Sequence, residues 1–150
     1  MPLQDYVFNP VGVLVGTAVM LLCLIVQAFA AGVAMRGLRS RIETLVSSGR
    51  HLRAELAFFG GAVVLIASHL LQIFIWGQFL YRGNLISDSH VAMLFAGSTY
   101  TTVGFVNDTL PVNWQVLVII MATNGYFSFA WSTTAMIQLS LKLYPMQKKS

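Results

Sequence analysis

Charged residues are scarce in this chain of 150 residues. Asp, Glu, Lys and Arg make up 9% of it, whereas hydrophobic residues make up 57%. So few charges cannot cover the surface of a soluble domain, and this composition is typical of an integral membrane protein. The length is that of one domain. The formal net charge is +4, but the basic residues flank apolar runs, which indicates membrane topology rather than nucleic-acid binding.

The chain also lacks the residue patterns of most enzymes. Its one cysteine, Cys23, excludes an intrachain disulfide and lies in an apolar run, where a small buried or lipid-facing side chain is expected. There is no nucleophile–base pair, no cluster with metal-ligand spacing and no phosphate-binding loop. The sequence therefore predicts no enzyme and no cofactor.

Three apolar runs are long enough to cross a membrane: residues 11–35, 56–81 and 112–143. No Lys or Arg precedes the first run, which predicts an uncleaved helix rather than a signal peptide. Eight basic residues lie on one side of the predicted membrane and only Arg82 lies on the other. The positive-inside rule then predicts a multi-pass protein of the cytoplasmic membrane, with its N-terminus outside and its C-terminus in the cytoplasm.

Residues 36–55 connect the first two runs and contain five arginines. Apolar residues recur there at helical spacing until Ser47, Ser48 and Gly49 break the pattern. One interpretation is a helix on the cytoplasmic surface that touches anionic lipid. The other is a solvated loop, including His51, whose arginines only fix topology.

A few polar side chains interrupt the first two runs. Gln27 is expected to hydrogen-bond a neighbouring helix. His69 is an intramembrane ionisable residue and so a functional candidate, although a neutral histidine bonded to a neighbouring helix is the plainer explanation. Haem ligation would require a second histidine at matching depth, which the sequence does not offer. Trp76 suits the outer interface, and the Gly60–Gly61 pair suits close approach of another backbone.

The stretch from Ser98 to Asp108 is the wrong kind of sequence for a span, because it is rich in hydroxyl groups and contains a glycine. A short helix from about Ser89 to Tyr100 is predicted before it, with Ser87 or Asp88 as N-cap. Such a helix reaches only about halfway through a hydrocarbon core of roughly 30 Å. A half-helix followed by a polar strand predicts a re-entrant loop, which must be buried in protein or line a water-filled path.

Within that stretch, Thr101-Thr102-Val103-Gly104-Phe105 resembles the filter of the tetrameric potassium-channel family, T-T-V-G-Y-G. In that family, carbonyl oxygens from four chains and a threonine hydroxyl replace the hydration shell of a cation. The resemblance implies a homotetramer that binds monovalent cations at five consecutive positions of each chain, the first of which contributes a threonine hydroxyl. Those positions are Thr102, Val103, Gly104, Phe105 and Val106. Phe105 stands in place of the family's tyrosine, and Val106 in place of its last glycine.

The same resemblance extends to the third run. Gly125 corresponds to the glycine that serves the family as a gating hinge, although close helix packing explains a helical glycine equally well. Asn124 and Thr134 are expected to line a wet cavity, and Ile137 and Leu141 to close it.

The fold class expected is an all-α membrane protein with three transmembrane helices, a re-entrant pore helix and a filter loop, assembled as a tetramer. Residues 1–55 would form the first helix and basic loop, and residues 56–150 the pore domain. The function expected is passive conduction of potassium. A non-selective monovalent cation channel that also passes sodium, and a non-conducting structural or accessory subunit, are the alternatives. Permeant ions are the only ligands implied, and the partners are further copies and membrane lipid.

Overall fold

The structure is a computed structural model, and the residues that it describes are 9–105 and 110–144. Every regular element in these residues is helical. The four α-helices are α1, Pro10–Ser47; α2, His51–Arg82; α3, Ser89–Tyr100; and α4, Val116–Leu143, which a 3₁₀ turn at Val112–Trp114 precedes.

Three of these helical segments are long and apolar enough to cross a membrane: α1, α2 and the segment Val112–Leu143. Their outward surfaces carry large apolar side chains, and Leu14, Phe29 and Tyr126 are each more than 70% exposed. Side chains of this kind need an apolar solvent, since monomeric soluble proteins rarely expose contiguous patches of them. The prediction of a membrane-embedded, all-α chain with three spanning helices is therefore confirmed.

The connection between α1 and α2 differs from both interpretations of the basic segment. It is neither a separate surface helix nor a loop, because α1 continues through the arginines to Ser47 and α2 already begins at His51. The turn is a Schellman motif: Gly49 has a φ of 70°, its N–H donates to the Val46 carbonyl at 3.0 Å, and the Arg50 N–H donates to the Leu45 carbonyl at 2.9 Å. Glycine adopts this left-handed conformation without steric cost.

The described chain forms two compact units, and α1, α2 and α4 each contribute residues to both. Of the described residues, the first unit contains 9–25, 70–105 and 110–128. α3 lies in it and buries one face among large side chains of the spanning helices. The buried residues include Trp76, Leu80, Phe95, Tyr100, Leu117 and Met121.

The second unit contains residues 26–69 and 129–144. At the end where α1 turns into α2, its core joins Ile42 and Ala54 to Leu139 and Leu143 of α4. The Glu43 carboxylate forms ion pairs with Lys142 at 2.8 Å and with Arg39 at 3.7 Å. The basic connection is therefore packed against the end of α4.

A polar cluster lies elsewhere in the second unit. The Gln27 amide donates to the Ser132 hydroxyl at 2.8 Å and accepts from Ser68 at 2.9 Å. His69 Nε2 lies 2.9 Å from the same Ser132 oxygen, and its ring stacks on Phe129 at 4.5 Å. The predictions that Gln27 and His69 hydrogen-bond a neighbouring helix are confirmed.

Candidate functional site

The short helix α3 begins at a defined cap. One carboxylate oxygen of Asp88 accepts from the backbone N–H of His90 at 2.8 Å and of Val91 at 2.9 Å. These two groups would otherwise lack partners at the helix start. The bonds from Val91 and His90 hold the pKa of the Asp88 carboxyl below its ordinary value. The predicted bounds of this helix are confirmed, and of the two predicted N-cap candidates, Ser87 and Asp88, the cap is Asp88.

Titration of Asp88 is expected to make the stability of the protein depend on pH. Because the folded-state pKa is lowered, the stabilisation by Asp88 is present above the ordinary carboxyl pKa and is lost as the pH falls through the folded-state value. An Asp88→Asn variant keeps an acceptor at the cap but does not titrate. Midpoints of detergent-induced unfolding, measured from neutral pH to about pH 3, should therefore fall further in the natural protein. Parallel curves for the two proteins would show that the cap does not titrate with folding.

At the other end of α3 the chain folds back over the helix terminus. Backbone N–H groups of Thr101, Thr102 and Gly104 donate to the carbonyls of Gly97, Thr99 and Ser98 at 3.0, 3.0 and 3.1 Å. The Thr101 hydroxyl adds a bond of 2.7 Å to Gly97. Carbonyls at a helix end need such partners. The motif residues are therefore held against the end of α3 by their own backbone.

The sign of the backbone φ angle alternates along the motif. Thr101 has a φ of −83°, Thr102 and Gly104 have φ values of 60° and 68°, and Val103 between them has no positive φ. Glycine tolerates the left-handed region, but a β-branched residue there is a conformational outlier that costs about 1–2 kcal/mol. Strain of this kind persists where surrounding structure enforces it, often at functional sites.

The side chains of the motif point away from the unit that holds it. Thr102 is exposed, and Val103 and Phe105 are 67% and 64% exposed. The segment that follows α3 is thus left uncovered by the described residues. Val106, together with residues 107–109, lies outside the described residues.

Gly125 of α4 lies directly against the end of α3. A Cβ atom placed on Gly125 would overlap the backbone carbonyl of Tyr100, the residue that precedes the motif. The close helix packing offered as one explanation for this glycine is therefore observed. The hinge role stays a prediction.

Asn124, predicted to line a cavity, is instead fully buried in a polar network. Its carbonyl oxygen accepts from the Trp76 indole N–H at 2.8 Å, and its amide donates to Gln72 at 3.2 Å and Ser128 at 3.3 Å. The Ser128 hydroxyl donates to Gln72 at 2.9 Å. Asn124 thus joins α2 to α4 and does not reach a surface.

This network also corrects the placement of Trp76, which was expected at the membrane interface but is fully buried. The sequence did not lead us to predict that polar side chains join α2 to α4. A signal was present: Gln72 and Trp76, like Asn124 and Ser128, are four residues apart, and this spacing puts both members of each pair on one helix face.

The remaining predicted residues lie on α4 in the second unit. Thr134, Ile137 and Leu141 are spaced i, i+3 and i+7 and therefore share one helix face. All three are exposed, Ile137 by 54% and Leu141 by 57%. The Thr134 hydroxyl donates to the Ala130 carbonyl of its own helix at 3.0 Å. This face has no covering element in the described chain, and its role as cavity and gate stays a prediction.

Comparison of the chain with protein-family models, with curated proteins and with solved structures finds no match. The resemblance to the potassium-channel filter therefore depends on the motif residues and on the helices that position them.

Proposed function

We propose that the chain is one subunit of a tetrameric cation channel that prefers potassium. The observation that carries this proposal is the backbone of the motif, in which φ changes sign from residue to residue and is positive at Thr102 and Gly104. The side chains of the motif remain exposed. Successive residues of alternating hand turn consecutive N–H groups to one side. Their carbonyl oxygens consequently turn to the other side, as a row of cation ligands requires.

The helix before the motif supports the same function. α3 has 12 residues and is therefore about 18 Å long, too short to cross the membrane. Its last turn contains no basic residue, so no positively charged side chain there offsets the negative end of the helix dipole. A cation near that end would be stabilised.

The number of oxygen ligands that a potassium ion needs supports the assembly of several copies of the chain. One chain contributes one strand of carbonyls, and a dehydrated potassium ion needs oxygens from several sides. The exposed motif and the exposed face of Thr134, Ile137 and Leu141 are the surfaces that further copies and a central path would occupy. Thr102 would supply a hydroxyl ligand, and Val103, Gly104, Phe105 and Val106 would supply carbonyls.

The test is reconstitution of the purified full-length chain in a planar bilayer with potassium on one side and sodium on the other. A reversal potential near the potassium equilibrium value is expected. Thr102→Ala removes a ligand worth about one hydrogen bond and should lower the potassium-to-sodium permeability ratio about tenfold. Thr133→Ala is the matched control, because the Thr133 hydroxyl bonds the Phe129 carbonyl of its own helix.

Other outcomes would contradict the proposal in different ways. Clear currents that reverse near zero would indicate a non-selective cation channel, as the substitution of the family's tyrosine and last glycine by Phe105 and Val106 also allows. Silence of both the natural chain and an Ile137→Ala variant, which removes the proposed apolar gate, would leave the non-conducting structural subunit.

A further inference from the structure

A basic groove lies in the second unit, between the end of α1 and the start of α2. It has a volume of about 650 Å³. Its walls combine positive charge with apolar surface. They include the arginines Arg41, Arg50 and Arg53 and the leucines Leu38, Leu45 and Leu56.

Helical spacing explains why these residues converge. Leu38, Arg41 and Leu45 are spaced i, i+3 and i+7 on α1, and Arg53, Leu56 and Gly60 have the same spacing on α2. Each set occupies one helix face. Both faces meet at the groove because the Schellman turn at Gly49 reverses the chain within a few residues. The opposite side of this hairpin is fixed by the buried Ile42 and Ala54.

The three arginines are exposed and have no acidic partner in the described part of the chain. The nearby carboxylate of Glu43 is engaged by Lys142 and Arg39, and no described carboxylate pairs with Arg41, Arg50 or Arg53. A guanidinium is planar and can bind a phosphate through two parallel hydrogen bonds. The groove is therefore complementary to a phosphate group with an apolar attachment.

The depth of the groove selects the source of that phosphate. Arg41 is six residues beyond Met35, where the first apolar run ends, and Arg53 is three residues before Leu56, where the second begins. At the helical rise, these distances are about 9 Å and about 5 Å, which is the depth of lipid headgroups. We propose that the groove binds an anionic phospholipid, with its phosphate on the three arginines and an acyl chain along Leu38 and Leu56, which lie nearer the apolar runs than Arg41 and Arg53 do. This site does not depend on ion conduction.

The experiment measures lipid binding to the full-length chain in detergent by native mass spectrometry. The probes are phosphatidylglycerol and phosphatidylcholine with identical acyl chains, and phosphatidylglycerol should bind about tenfold more tightly. Arg41→Gln and Arg53→Gln should each weaken phosphatidylglycerol binding about fivefold. Arg39→Gln, with the same loss of charge on the same helix but outside the groove, should change the affinity less than about twofold.

A variant of unchanged charge tests the apolar wall. A Cβ on Gly60 meets open space, so Gly60→Leu fills the groove without displacing its neighbours and should weaken phosphatidylglycerol binding by a similar factor. Gly37 is equally open but lies on another face of α1, and Gly37→Leu should have no effect. Equal affinity for the two lipids, or equal losses in Arg39→Gln and Arg41→Gln, would overturn the proposal. Displacement of the lipid by millimolar inorganic phosphate would also overturn it, since the site would then take a free anion.

Discussion

Replacement of Gly125 by alanine is expected to destabilise the first compact unit by about 3 kcal/mol. The added methyl group would overlap the Tyr100 carbonyl, and a backbone atom cannot rotate away as a side chain can. α3 would have to move off α4, and the contacts of the buried Tyr100 would be lost with it. The motif that follows Tyr100 would then lose its support.

The midpoint of denaturant-induced unfolding in detergent measures this effect. Gly32→Ala is the matched control, because Gly32 is also helical but a methyl group added there would have nothing within 4 Å. There alanine should be neutral or stabilising by up to about 1 kcal/mol. A Gly125→Ala protein of unchanged stability but altered open probability would instead favour the hinge role.

Replacement of Asn124 by leucine is expected to cost about 3–5 kcal/mol. Leucine is close to asparagine in size but has no polar atoms, so the Trp76 indole N–H would lose its acceptor and the Gln72 carbonyl one of its donors. Each buried group left unsatisfied costs about 1–3 kcal/mol. Because Asn124 is fully buried, water cannot readily replace it.

A double-mutant cycle separates this network from general packing. Trp76→Phe removes the indole donor, so Asn124→Leu should cost about 1 kcal/mol less in that background than in the natural protein. Thr134→Leu is the control on α4, because Thr134 is exposed and bonds its own helix; its effect should stay within about 0.5 kcal/mol. Strictly additive costs for Trp76 and Asn124 would contradict the hydrogen bond between them.

Hydropathy and capping chemistry predicted the spanning helices and α3, because a long uncharged run has few stable environments and Asp88 has a specific role at a helix start. The end of α1 and the start of α2 were not predicted. Charges mark where a helix leaves the membrane, but arginine and glutamate are good helix formers and do not end it. Only the left-handed Gly49 ends α1.

The position of Asn124 could not be predicted for a different reason. A polar side chain in an apolar helix is stable in a wet cavity or among polar partners on a neighbouring helix, and the local sequence is the same in both cases. The choice depends on Trp76 and Gln72, which lie about 50 residues away along the chain. The function of the motif could not be predicted from its surroundings either, because the exposed side chains of Val103 and Phe105 find no cover among the described residues.

The ion pair of Glu43 with Lys142 couples the α1–α2 hairpin to the end of α4. Glu43 links α1 to Lys142 in the last turn of α4, beside the buried contact of Ile42 with Leu139 and Leu143. The end of α4 therefore cannot separate from the hairpin without breaking an ion pair and opening an apolar contact at the same time. Close-packed interiors transmit strain. A lateral force on the hairpin, such as a change in bilayer tension, would act on the last turn of α4 directly.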